Sequence, residues 1–130
     1  MINEALYALL AGNATLMAEL TGGVSPVFAE EATPPPYLVY QQVSSLPREV
    51  DFHGPQTLAQ ERWQLDIYAE TYAAAQQIKT LLRQQLHGYK GESAGVRIHG
   101  IFLDSINDIF NERPGLYRIA MDFMVHYKEA

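Results

Sequence analysis

Residues 62 to 69 alternate without a break. Trp63, Leu65, Ile67 and Ala69 fall on one side of an extended chain, and Arg62, Gln64, Asp66 and Tyr68 on the other. That period of two marks a strand with one buried face. The period changes directly afterwards. Thr71 offers an N-cap hydroxyl, Ala74, Ile78, Leu81, Leu82 and Gln85 share one helical stripe, and Gly88 stands where a C′ residue belongs. A strand that runs straight into an amphipathic helix must lay that helix back on a sheet. The chain is therefore restricted to folds in which helices cover a sheet made from its other strands.

Three further stretches supply those strands. Tyr37 to Ser44 alternates, with Tyr37, Val39, Gln41 and Val43 on one face and Leu38 and Tyr40 on the other. From Val96 to Ile106 the apolar phase changes between Ile98 and Ile101, which points to a bulge at Gly100. The last strand is the clearest, with Tyr117, Ile119, Met121, Phe123, Val125 and Tyr127 alternating against Arg118, Ala120, Asp122, Met124 and His126. Ahead of them, Ile2, Ala5, Leu6, Leu9 and Leu10 form a helical stripe that Gly12 interrupts, and Asn13 can cap a further turn carrying Leu16, Met17 and Leu20. Val24 to Pro36 reads as a connector, and the glycine-rich run from Gly88 to Gly95 as a helix-to-strand turn. That run follows a helix rather than opening one and has no phosphate-loop spacing.

Charge spacing suggests how the strands pair. Arg62 and Asp66 stand four residues apart on the polar face of the second strand, as do Arg118 and Asp122 on the fourth. In an antiparallel pairing Arg62 would oppose Asp122 and Asp66 would oppose Arg118, whereas a parallel pairing would bring like charges together. A right-handed crossover through the helix makes the second and third strands parallel, and the closing hairpin makes the fourth antiparallel to the third. The expectation is an α+β fold: a four-stranded, mostly antiparallel sheet of order 1-2-4-3, a split β-α-β, with an N-terminal helix and one long helix packed on one face.

Size and charge exclude several functions. With 130 residues, 48% hydrophobic and 18% charged, residues 1–130 read as a single globular domain. A formal net charge of −6 argues against wrapping nucleic acid or lying on an anionic membrane, both of which favour clustered Lys and Arg. The absence of cysteine excludes a disulfide framework and thiolate zinc sites. No apolar run approaches the ~20 residues that span a bilayer. The opening from Met1 to Leu6 lacks a basic n-region, so no secretory signal is expected.

The chemistry-bearing residues are few. Asp51, His53, Asp104, His99 and His126 form the one group that could bind a metal or move protons, and their spacing fits no zinc or nucleophile motif. No cofactor is expected and no enzyme. The irregular stretch from Ser45 to Gln60 carries Leu46, Val50 and Phe52, apolar residues that a plain loop does not need. Its Pro47, Arg48, Asp51, Phe52, His53 and Gly54 are the candidate contact surface with a neighbouring subunit.

Taken in order, several segments together resemble a known family. They are the helix Glu4 to Leu10, the run Pro36 to Gln41, His53-Gly54-Pro55, the strand Arg62 to Ala69, the helix end Leu86 to Gly91, Gly100 to Leu103, and Gly115 to Phe123. The pattern resembles the tail-completion proteins of long-tailed bacteriophages and prophages, which are similar to tail terminators and head-to-tail joining proteins. The resemblance implies a structural virion protein with no catalytic residues. It would form a ring, commonly of six copies, that caps the tail tube and offers a surface to head connector or adaptor proteins. Its partners would be itself, the tail-tube protein and the connector, with no membrane, and with DNA only as cargo passing through, not bound by sequence. Assembly would take place in the host cytoplasm, and the final place would be the head–tail interface of the virion. Two alternatives accompany it: a connector or adaptor on the head side, and a small metal-binding enzyme domain using Asp51, His53, His99 and His126.

Overall fold

A computed structural model of the chain describes residues 2–29, 33–48, 58–111 and 115–129. Helix α1 spans Ile2–Ala11 and α2 spans Ala14–Glu19. Strand β1 (Val24–Pro26) leads to β2 (Tyr37–Arg48) and β3 (Leu58–Ala69), and the long helix α3 (Tyr72–Leu86) follows. A short β4 (Gly91–Ser93) precedes β5 (Val96–Asn111) and β6 (Leu116–Glu129).

Local chemistry sets the helix ends. Asn13 accepts a hydrogen bond from the Leu16 amide at 3.2 Å and caps α2, so the break after α1 restarts a helix in a new direction. Thr71 does the same for α3 through the Ala74 amide at 3.2 Å. At the other end Gly88 takes φ = +82°, a left-handed conformation that glycine adopts without a Cβ penalty. Gln85 joins the helices. Its Nε2 donates to the Leu9 carbonyl at 2.5 Å and its Oε1 accepts from Asn13 at 3.0 Å.

Among the described residues the strands form one curled sheet of six, a half-barrel of order β1-β2-β3-β6-β5-β4. This corrects the expected four-stranded sheet of order 1-2-4-3. Two three-residue strands are added, β1 parallel to β2 through Val24–Leu38 and β4 antiparallel to β5 through Ser93–Val96, which makes the sheet mixed. Three residues are too few to show a period, and Pro26 and Gly91 disguise these strands as connectors. The long strands also exceed the expectation. Ser45 to Arg48 pair with Leu58 to Glu61 instead of lying in an irregular loop, and β5 continues to Asn111.

One sheet face and the helices enclose the core. Ala75, Ile78, Leu82 and Leu86 from α3 meet Leu65, Ile67, Ile119, Met121 and Phe123. Ile2, Leu6, Leu10 and Leu16 extend that layer under α1 and α2. Register shifts between Ile98 and Gly100 and between Leu103 and Ser105 leave His99 and Asp104 as the extra residues of two bulges in β5. The first bulge explains why both Ile98 and Ile101 reach the core despite their sequence phase. No helix among the described residues is long and apolar enough to cross a membrane.

Candidate functional site

The face of the sheet turned away from the helices carries the polar half of each alternation. In register, β3 and β6 are offset by two residues from the expected charge pairing. Gln64 opposes Asp122, Arg62 opposes Met124, Asp66 opposes Ala120 and Tyr68 opposes Arg118. The guanidinium groups reach diagonally instead. Arg62 Nη1 lies 3.4 Å from Asp122 Oδ2, and Arg118 Nη2 lies 3.1 Å from Asp66 Oδ2. An arginine is long enough for this diagonal, so the ion pairs do not depend on direct opposition.

Arg62 has a second and shorter contact. Asp104 Oδ2 approaches its Nη1 to 2.6 Å from β5, on the far side of β6. Asp104 is the extra residue of a bulge, which turns its carboxylate away from the ordinary alternation of β5. The hydrogen bond that Arg62 donates to Asp104 comes first among the influences that hold the Arg62 guanidinium above its ordinary range, and Asp122 adds to it.

The Asp66 end of this face is a cleft of about 320 Å³. Its floor is Val39, Gln41, Asp66, Tyr68 and Arg118, and the segment Val27–Ala29 leaving β1 forms one wall. Asp66 is only 3% exposed. Burial pushes its carboxyl above the usual carboxylate range; Arg118 works against that push, and Asp122 reinforces it. Asp66 Oδ1 has no donor and Arg118 Nε has no acceptor, although both atoms are buried. Tyr68 stacks on Tyr37 with centroids 4.9 Å apart and lies 5.9 Å below the Arg118 guanidinium carbon. Burial, the largest influence on each, raises the phenol pKa of both tyrosines. At the rim, Val27 and Phe28 are 64% and 69% exposed. The cleft thus brings together one buried unpaired acceptor, one buried unpaired donor, aromatic walls and an apolar lip.

On the opposite face lies a second cleft of about 500 Å³, lined by residues that include Tyr40, Glu61, Trp63 and Tyr127. Glu61 is 6% exposed and its carboxylate is well supplied. Trp63 Nε1 donates to one oxygen at 2.9 Å and the Tyr127 hydroxyl donates to the other. Sequence reasoning missed this group, although a signal existed: Glu61 shares the buried phase of Trp63 and Leu65.

The residues singled out in the sequence do not gather in one place. Pro47 and Arg48 lie in β2, where their backbones pair with Ala59 and Leu58. Asp51, Phe52, His53 and Gly54 lie outside the described residues. His99 is exposed on its bulge, while the His126 ring meets Phe102 at 5.7 Å. Asp104 is committed to Arg62. Among the described residues no group of three His, Cys, Asp or Glu side chains is placed to hold a metal ion.

The chain matches the family described as tail completion protein gp17 over residues 4–128. Among solved structures it resembles a chain of the virion of a native gene transfer agent particle. The TM-score is 0.75 at 16% identity, over 95% of this chain and 92% of that one. At such an identity the likeness concerns the fold. No curated protein sequence matches the chain.

Proposed function

Because the chain belongs to the tail completion protein gp17 family, we propose that it closes the end of a phage-type tail tube as a ring of identical copies, six in number, and presents the surface on which the head docks. Its role is structural and its place is the virion tail. The observation that carries the reading is the family match, which runs over residues 4–128 rather than over one motif.

Physical chemistry supports the finer steps. A closed ring is a heterologous assembly, so each copy must present two different complementary surfaces. A net charge of −6 suits a channel wall along which DNA passes without adhering. Pro47 and Arg48 at the paired end of β2, with Asp51, Phe52, His53 and Gly54 after it in sequence, make one contact with a neighbouring subunit. The tail-tube protein on one side and the head connector on the other are the partners. The chain works as a single domain and without catalysis.

Light scattering over a range of concentrations, with and without its tail-tube protein, tests this. A mass six times that of the chain is expected, either alone or once tube protein is added. Replacing Phe52 by Ala lowers the ring fraction at a given concentration. A monomer that never associates with any tail component overturns the reading.

A further inference from the structure

Strand β5 has an outer edge that β4 covers only from Val96 to Ile98. The end of α3 continues that cover without forming a strand. The Gly88 amide donates to the Ile101 carbonyl at 2.7 Å, and the Leu103 amide donates to His87 Nδ1 at 3.0 Å. One bond runs from backbone to backbone, and the other ends on a titratable ring. The His87 imidazole stands where a neighbouring strand would place a carbonyl oxygen. Phe102 lies between two histidines, with its ring 6.5 Å from His87 and 5.7 Å from His126, edge to face in both cases. A Cβ on Gly100 would come within 2.8 Å of the Phe102 ring, so that ring lies down over the bare backbone of Gly100.

We propose that His87 is a proton-sensitive latch that fastens the C-terminal end of α3 to the β5 edge. This holds whether or not the chain forms a ring. In a neutral imidazole one nitrogen donates and the other accepts, and here Nδ1 accepts, because the Leu103 N–H faces it. Neutral His87 is thereby fixed as the tautomer with its proton on Nε2. After protonation both nitrogens donate. The Nδ1 proton and the Leu103 N–H then point at each other, the bond is lost, and the ring turns away. His87 is exposed, so water solvates the cation as it leaves and no buried charge opposes the opening.

The charged and titratable groups around His87 come from four segments. They are Arg83 one turn back on α3, Lys90 in the turn that follows, His99 and Asp104 on β5, and His126 beyond Phe102 on β6. Asp104 follows Leu103 directly, but it is committed to Arg62 at 2.6 Å. No carboxylate among the described residues pairs with His87, so none holds a charged imidazole in place. With the ring turned away, the Leu103 amide joins the outer edge from Asp104 to Asn111, which no strand covers among the described residues. The bond from Gly88 to Ile101 then holds the helix end.

Nuclear magnetic resonance on the unaltered chain reads both states. At about pH 8 the His87 ring is expected as the Nε2–H tautomer. As the pH falls to about 5.5, the Leu103 amide proton moves upfield with the same midpoint as the His87 ring. Its hydrogen exchange, corrected for the intrinsic effect of pH, speeds by about fivefold. His99 and His126 are the other described groups that change charge near neutrality, and His99→Asn and His126→Asn leave the response in place. His87→Asn does not titrate, and in that variant the Leu103 amide stays constant over the whole range. An Nδ1–H tautomer at the upper pH overturns the proposal, as does a Leu103 amide that does not follow the His87 ring. A response that persists in His87→Asn overturns it too.

Discussion

Three residues depart from what their surroundings favour. Glu61 is a carboxylate in the core phase of β3, and its oxygens serve the Trp63 N–H and the Tyr127 O–H. Glu61→Ala removes the acceptor of both donors in a buried site, which costs about 2–6 kcal/mol of stability at ~1–3 kcal/mol each. Glu61→Gln keeps one acceptor and costs less, and urea denaturation separates the two. Asp66 is the second. Its folded carboxyl binds a proton more tightly than the unfolded chain does, because burial raises it above 3.8 while Arg118 only partly offsets the rise. The stability linked to that proton is full below pH 3.8 and is lost as pH rises through the higher folded value. The urea midpoint of the unaltered chain minus that of Asp66→Asn therefore falls as pH increases through that window. A difference independent of pH would contradict the assigned burial cost. Val27 is the third, a β-branched residue held at φ = +65°. Val27→Gly relieves that conformation, and the net gain after glycine's extra unfolded entropy is about 1 kcal/mol.

At the scale of elements, capping and close approach decide where segments end. Thr71→Ala removes the hydroxyl that meets the Ala74 amide and costs ~1 kcal/mol. Gly22 has a stricter role. Its amide donates to the Pro36 carbonyl at 2.9 Å, and a Cβ there would come within 2.3 Å of the Pro34 carbonyl oxygen. Gly22→Ala must push two backbones apart beside the β1–β2 pairing, so it destabilises by more than Thr71→Ala does. Thermal unfolding of the two variants side by side checks the order. The bulge at Asp104 is also an element-scale device. It carries a β5 carboxylate to a β3 guanidinium and so links three adjacent strands, β3, β6 and β5, through Arg62.

For the molecule as a whole, the sheet topology puts different chemistry on its two sides. One side has the Val27–Phe28 lip with its cleft and, beyond Arg118, Ile109 and Asp104 of β5; the other carries the helices and the cleft lined by Glu61. Unlike surfaces on one subunit are what a cyclic assembly uses, and a symmetric dimer does not require them. The net charge acts at this scale too. At −6, purified protein is expected not to retard duplex DNA in a gel even near 50 mM salt, where phosphate contacts are stronger than at physiological salt. Retardation there would count against a passive channel wall.

The sequence by itself determined what depends on neighbours along the chain. The alternation of Arg62 to Ala69 and of Tyr117 to Tyr127, the caps at Asn13 and Thr71, and the phase change around Gly100 are all local, because period and capping are written within a few residues. Glu61 was half legible, through its place in the buried phase. Tertiary structure alone decided the rest. Strands β1 and β4 exist because long neighbours offer edges to three residues that have no periodicity of their own. The two-residue offset between β3 and β6 follows from packing the whole core face, to which diagonal arginines adapt. Asp104 reached Arg62 only because a bulge redirected it. The cleft joins Asp66 and Arg118, on separate strands, to Val27 and Phe28, in a segment whose composition suggested only a connector. Such a site depends on how distant segments are brought together, and no local pattern records that.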